Sequence, residues 1–241
     1  MMKNKKNKKN KIKKVAFIYD RPTSYMGGYN YLYNLIFSLN SYGFKRKNII
    51  IFSPNNIPKN KLLELSKFGT LIKCRFLTKW DLNWFINRFS LKFFKFSPYI
   101  YFCRKKYKFT HTYFSTWNVR KSNKIKQIYW LPDLQYLKYP EYFSNKYIKN
   151  EEINIKNQLK NSDSIILSSN TIKKEFLKRF KTQSRENSLL KVLNFHSSIV
   201  HNNNPQKIKF QLSKFVKEYE LENGFFFCPN QFWPHKNHFK L

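Results

Sequence analysis

The sequence predicts an α/β fold built on a mostly parallel sheet. Three observations predict it. Short apolar runs without alternation recur at Val15-Ala16-Phe17-Ile18-Tyr19, Ile49-Ile50-Ile51-Phe52 and Ser164-Ile165-Ile166-Leu167, and such runs suit strands buried on both faces. Segments of helical period separate them. The alternation repeats at the spacing of βαβ units. With 41% hydrophobic and 19% aromatic residues, the chain can build a core, and wholesale disorder is excluded.

The elements follow in order. Residues 1–14 hold eight lysines and three asparagines, so residues 1–13 read as a solvated, disordered tail. The first strand, Val15 to Tyr19, stops at the turn signal Asp20-Arg21-Pro22. After Gly27-Gly28 the period becomes helical: Tyr31, Leu32, Leu35, Ile36 and Leu39 share a stripe, and Gly43 closes the helix. Ile49 to Phe52 is a strand, Lys59 to Phe68 a helix ended by Gly69, and Thr70 to Leu77 a strand. Residues 80–96 form a second periodic segment, with Leu82, Phe85, Ile86, Phe89, Phe93 and Phe96 on one stripe. Two readings fit it: a helix packed on the sheet, or one lying on an anionic membrane. Phe109 to Ser115 and Ile125 to Leu131 are strands, and Pro132 to Ser144 is a loop. Lys146 to Lys160 is a helix. Asn170 or Thr171 caps a helix running to Phe180, and Leu189 to Leu193 is a strand. Residues 197–206 read as a linker and Lys207 to Leu221 as a helix; Asn223-Gly224 marks a turn and Phe225 to Cys228 a buried strand. The domains are then a lobe over 14–200, a linker and helix over 201–222, and the start of a second, truncated α/β domain over 223–241.

Composition narrows the function. Lys plus Arg is 47 against 13 acidic residues, a net charge of +34. That excess fits an anionic partner such as nucleic acid, anionic lipid or nucleotide phosphate. It also fits A/T-rich codon usage, because asparagine, which carries no charge, occurs 28 times. No zinc-finger, RNP1 or KH-type signature is present, so no specific nucleic-acid partner is expected. No apolar run approaches the ~18 residues of a membrane span. The lysine tail precedes no long apolar segment, which argues against a secretory signal. Three cysteines, Cys74, Cys103 and Cys228, include no CxxC pair, which suits a reducing cytoplasmic setting.

Three segments carry chemistry. Met26-Gly27-Gly28-Tyr29-Asn30 lies between the first strand and the first helix, where amides can approach a phosphate and the helix N-terminus adds positive potential. Trp130-Leu131-Pro132-Asp133-Leu134-Gln135 places Asp133 just past a buried strand. Ligands of open α/β sheets bind at that edge, and a carboxylate there can accept a hydroxyl proton. Cys228-Pro229-Asn230-Gln231-Phe232-Trp233-Pro234-His235-Lys236-Asn237-His238 puts Lys236 where a helix begins after a strand, again a phosphate position. His235 and His238 have no third ligand or acidic partner close in sequence, so no metal is expected.

In this order, the segments resemble family 4 glycosyltransferases of the GT-B fold, most closely bacterial members that build cell-surface polysaccharide. The likeness rests on Gly27-Gly28-Tyr29-Asn30-Tyr31-Leu32 with Asn34-Leu35-Ile36, on Pro132-Asp133-Leu134-Gln135 with Tyr139-Pro140-Glu141-Tyr142-Phe143-Ser144, and on Asn230-Gln231-Phe232-Trp233-Pro234-His235-Lys236-Asn237-His238. It implies a Rossmann-like acceptor-side lobe facing a donor-binding lobe. It also implies transfer of a sugar from a nucleotide sugar to a hydroxyl of a glycan or lipid-linked acceptor, in polysaccharide or lipopolysaccharide synthesis. Carried over by position, Gly27 and Gly28 contact the donor phosphates, Asp133 lies by the acceptor, and Lys236 meets the diphosphate. No cofactor is implied; the nucleotide sugar is the donor substrate. The setting implied is cytoplasmic, at the inner membrane face. Two departures stand out: Gln231 occupies the place of a common arginine, and Tyr136 that of a frequent histidine. The family's glutamate-rich donor segment lies past position 241. The expectation is therefore a partial enzyme, inactive alone: a fragment, a frameshift product, or half of a split enzyme completed by a separate donor-domain polypeptide. The alternative is a basic protein that binds nucleic acid or an anionic membrane surface without catalysis.

Overall fold

In the computed structural model, the residues described are 13–19, 26–114, 117, 119–180, 189–195 and 205–224. The lysine tail, the strand over 225–228 and the segment holding His235, Lys236 and His238 lie outside them, as does most of the 197–206 linker. The chain divides into two units: Met1–Leu134 with Asn145–His196, and Gln135–Ser144 with Ser197–Leu241.

The first unit is an α/β, Rossmann-like fold. Among the described residues, seven strands, all parallel, make one sheet: β1 (Val15–Ile18), β2 (Ile49–Ser53), β3 (Thr70–Lys73), β4 (His111–Phe114), β5 (Lys126–Leu131), β6 (Ser164–Leu167) and β7 (Leu190–Val192). Their order is β3-β2-β1-β4-β5-β6-β7. The chain builds outward from β1 to β3, then returns to lay β4 on the other side of β1. The order therefore reverses between β1 and β4. In open α/β sheets that reversal opens a crevice at the carboxyl ends of the strands.

The helices α1 (Met26–Ser41), α2 (Lys59–Ser66), α3 (Leu82–Phe94), α4 (Pro98–Tyr107), α6 (Asn145–Asn161) and α7 (Asn170–Phe180) belong to this unit; α5 (Gln135–Lys138) and α8 (Pro205–Glu218) belong to the other. Every residue of β2 is buried, which explains its unbroken apolar run. α1 ends where the spacing predicts: Gly43 adopts φ 92°, and the amides of Gly43 and Phe44 close onto the carbonyls of Asn40 and Leu39. That positive φ suits glycine. Gly69 is required for a different reason, close approach. A Cβ there would stand 2.8 Å from Ile51 Cδ1 and 2.9 Å from Ile49 Cγ2.

Four sequence expectations change. Gly27 and Gly28 lie in the first turn of α1 and not in a turn before it, because Tyr29, Tyr31 and Leu32 are pulled into the core. The third strand stops at Lys73; the Cys74 amide still bonds the Ser53 carbonyl at 2.8 Å, and Arg75–Leu77 then winds into a 3-10 turn. The cap of α7 is Ser169, whose Oγ accepts from the Ile172 amide at 3.2 Å. Within 132–144, Gln135–Lys138 and Pro140–Tyr142 are helical turns and not open loop. α4 is an element that the periodicity did not reveal.

Asp163 clamps the amino ends of β5 and β6. Its carboxylate accepts from the Gln127 amide and from Lys126 Nζ, each at 3.0 Å, with Lys121 Nζ 3.7 Å away. Burial pushes this carboxyl up, but the Gln127 amide and the lysines outweigh it and hold it below the ordinary carboxylate range. The folded pKa therefore lies below the unfolded value near ~3.9. The stabilisation is present above that value and is lost as pH falls through the folded pKa. Asp163→Ala is expected to cost about 1–3 kcal/mol at neutral pH, because it leaves the Gln127 amide unpaired and removes a charged acceptor. The gap between variant and wild type should narrow in urea titrations run below about pH 4. A gap that stays constant into acid would contradict this role.

Candidate functional site at the carboxyl edge of the sheet

Two sequence-predicted residues or groups arrive at one edge. α1 follows the carboxyl end of β1, so the amides of Gly27 and Gly28 stand in the first turn of a helix whose N-terminus lies at that edge. Asp133 follows the carboxyl end of β5, two strands away across β4. At the ordinary strand spacing of about 4.8 Å, β1 and β5 are roughly 10 Å apart. Gly28 is buried, while Gly27 and Asp133 are exposed. Lys236, the third predicted position, lies outside the described residues.

One aromatic contact ties the two segments together. Tyr31, from the start of α1, stacks flat on Trp130, near the end of β5, with ring centroids 3.8 Å apart and planes 2° from parallel. Phe195 meets both rings edge-on. The Tyr31 hydroxyl also shares a 2.7 Å hydrogen bond with that of Tyr113 on β4. The start of α1 is thus bound to β4 and β5 as well as to its own strand. Burial pushes the Tyr31 phenol up to about 12, although the bond to Tyr113 works against the shift. Burial likewise raises Tyr113 well above the ordinary tyrosine value. Both rings stay neutral at physiological pH and act as struts.

Tyr29 fixes the other side of the same turn. Its hydroxyl donates to Glu64 Oε2 at 2.5 Å, with the Lys61 carbonyl at 3.2 Å. Burial, then the Glu64 carboxylate, raises its pKa. The first turn of α1 is therefore held to α2 and to the sheet, which keeps its amides oriented without a ligand.

The Asp133 loop is anchored at both neighbours. Ser168, just past β6, donates to the Pro132 carbonyl. Leu134 is 2% exposed. With Pro132 tied down and Leu134 in the core, the intervening side chain is carried outward at a defined place. Trp130 itself is buried, and its indole N–H has no hydrogen-bond partner among the described residues. Ser168 carries no sequence signal: its role depends on β6 pairing with β5, which places Leu167 beside Leu131. Tyr113 is equally silent in the sequence, and Tyr31, though part of the helical stripe and of the glycine motif, gives no sign there of its contacts with Trp130 and Tyr113.

Oriented amides, a helix N-terminus and an outward carboxylate on one side of a parallel sheet make an edge suited to an anionic ligand bearing a reactive hydroxyl nearby. The class defined is a Rossmann-like α/β lobe with a candidate ligand edge. Compared with protein-family models and with curated proteins, the chain finds no match in either. No helix among the described residues is long and apolar enough to cross a membrane.

Proposed function

We propose that this chain is the acceptor-side lobe of a glycosyltransferase. It would move a sugar from a nucleotide sugar to a hydroxyl of a glycan or lipid-linked acceptor in the synthesis of cell-surface polysaccharide or lipopolysaccharide. The observation that carries the reading is the Tyr31–Trp130 stack, because it couples the Gly27-Gly28 turn to the Asp133 loop. The resemblance of three ordered segments to family 4 glycosyltransferases supports the same assignment.

In the proposed reaction the acceptor oxygen attacks the anomeric carbon of the donor sugar. The new glycosidic bond forms as the bond from that carbon to the diphosphate breaks, and the bonding pair leaves with the diphosphate. Asp133 takes the proton from the attacking hydroxyl. The Gly27 and Gly28 amides and the α1 N-terminus meet the growing negative charge on the diphosphate, with Lys236 as a further cation. A donor-side lobe, in the same polypeptide or a separate one, closes over the edge and excludes water.

The test is incorporation of labelled sugar from a panel of nucleotide sugars by native membranes of cells with and without the gene. Incorporation should be lost on deletion and restored by the wild-type chain. Equal incorporation in deleted and undeleted cells would contradict the proposal.

A further inference from the structure

α3 is oriented with its apolar stripe outward. Leu82, Phe85, Ile86, Phe89 and Phe93 are exposed, from 46% at Phe85 and Ile86 to 71% at Leu82, whereas Asn87 and Leu91 are buried. An ordinary surface helix shows the reverse. Of the two readings of residues 80–96, packing of this stripe against the sheet is therefore excluded. Specific inward contacts hold the orientation. Ser97 Oγ donates to Asn87 Oδ1 at 2.7 Å, both groups buried, and the Tyr99 hydroxyl donates to Asn83 Oδ1 at 2.8 Å. The Asp81 cap accepts from the Asn83 amide and is paired with Arg75.

The exposed surface extends past the helix. Trp80 is 71% exposed and sits at φ 71°, a left-handed conformation that a bulky residue rarely adopts. Its ring lies 6.0 Å from that of Phe85. On α4, Phe102 is 63% exposed. Cations are interleaved with the rings: Lys79 lies 4.9 Å over Trp80, Lys92 5.4 Å over Phe93, and Lys105 4.7 Å over Tyr101. From residue 79 to 108 the chain carries eight basic residues and one acidic one. Apolar patches of this kind on a folded surface mark an interaction site.

We propose that the α3–α4 hairpin docks this protein on an anionic lipid bilayer. Trp80 and the α3 stripe enter the boundary between headgroups and acyl chains, and the interleaved lysines meet lipid phosphates. Charge complementarity selects this occupant. A second copy of the chain would bring an equally basic face and be repelled. A single-stranded nucleic acid needs flat rings on which bases stack, and Leu82 and Ile86, on the same stripe as the rings, offer none. A bilayer takes aliphatic and aromatic side chains alike and favours cations at its headgroups. This docking stands independently of the sugar-transfer reading.

The full chain is tested by flotation, at physiological salt, with vesicles of phosphatidylcholine alone and of equal parts phosphatidylcholine and phosphatidylglycerol. The wild type is expected to float with the anionic vesicles. The pair Phe89→Ser and Phe93→Ser should keep the wild-type Tm and lower partitioning about a hundredfold, since each exposed Phe contributes about tenfold on entering an apolar phase. Trp80→Gly relieves the left-handed backbone, so its Tm should hold or rise while partitioning falls about tenfold. That second variant keeps the test decisive if the Phe pair disturbs folding. Wild-type partitioning by Trp80→Gly, or by a folded Phe pair, overturns the proposal, as does a wild type that stays with the soluble fraction. A vesicle-free dimer broken by the Phe pair overturns it in favour of a second copy. Single-stranded DNA binding that survives physiological salt and is lost in the Phe pair overturns it in favour of nucleic acid.

Discussion

Asp133→Asn is expected to lower sugar transfer by about a hundred- to ten-thousandfold, the usual contribution of a positioned general base. Asparagine keeps the size and shape of the side chain, so the loop held by Ser168 and Leu134 has no steric reason to move. What disappears is the capacity to take the proton of the attacking hydroxyl. That loss belongs to the transition state, so kcat should fall while KM for the acceptor changes little. A matched Tm is the control, since it separates lost chemistry from lost folding. In the membrane assay, Asp133→Asn should fail to restore incorporation to the deleted strain. Full restoration by this variant removes Asp133 from the reaction, even if the edge still binds ligand.

Trp130→Ala carries the largest expected effect on stability, a loss of about 3–5 kcal/mol. Trp130 is 4% exposed and belongs to a hydrophobic cluster with Phe17, Ile36, Ile51 and Leu65. Removing the indole opens a void against Tyr31 and Phe195, and Tyr31 is itself tied to Tyr113 on β4, which limits collapse into the space. For a chain of this length, the loss corresponds to a Tm lower by roughly 10 °C or more. Trp130→Phe should recover most of it, because a ring remains to stack and the indole N–H gives up no hydrogen bond among the described residues. Thermal unfolding followed by circular dichroism checks both. A Tm for Trp130→Ala within about 2 °C of wild type would show that the stack contributes little.

The central sheet was readable because β2 is buried along its whole length and β1 nearly so, so their apolar runs lack alternation. Boundaries were harder where apolar residues continue past the end of pairing. Phe76 and Leu77 extend the run of β3 and are buried, yet they pack from a 3-10 turn and not from a strand. α4 was hidden because Tyr99, Tyr101, Phe102 and Tyr107 set no clean helical period. The local start signal was nonetheless present, with Ser97 as cap and Pro98 at the first helical position. Gly27 and Gly28 read as a break because glycine disfavours helix by about 1 kcal/mol each relative to alanine. Burial of Tyr29, Tyr31 and Leu32 just after them offsets that preference. The stripe on α3 was visible in the sequence, but its direction was not. Periodicity reports that a face exists, while the buried Asn87–Ser97 hydrogen bond determines which side turns inward.

For the candidate site, the two sequence positions that the structure describes fall at one edge, Gly27-Gly28 after β1 and Asp133 after β5. Strand order could not be read from the sequence, so their adjacency could not either. It depends on β4 inserting between β1 and β5. The Tyr31–Trp130 contact, which joins the two segments, is a consequence of that insertion and leaves no local pattern.

The central claim is that this sheet edge receives a nucleoside-diphosphate sugar, and amide hydrogen exchange tests it most directly. The chain, purified from native membranes together with any donor-side polypeptide that accompanies it, is exchanged with and without a panel of nucleotide sugars, and with the free nucleoside diphosphates. Slower exchange confined to peptides covering Met26–Asn30 and the Pro132–Leu134 loop, caused by at least one member of the panel, is the expected result. No protection by any member, or protection confined to α3 and α4 with the Gly28 and Asp133 peptides unchanged, would contradict the claim.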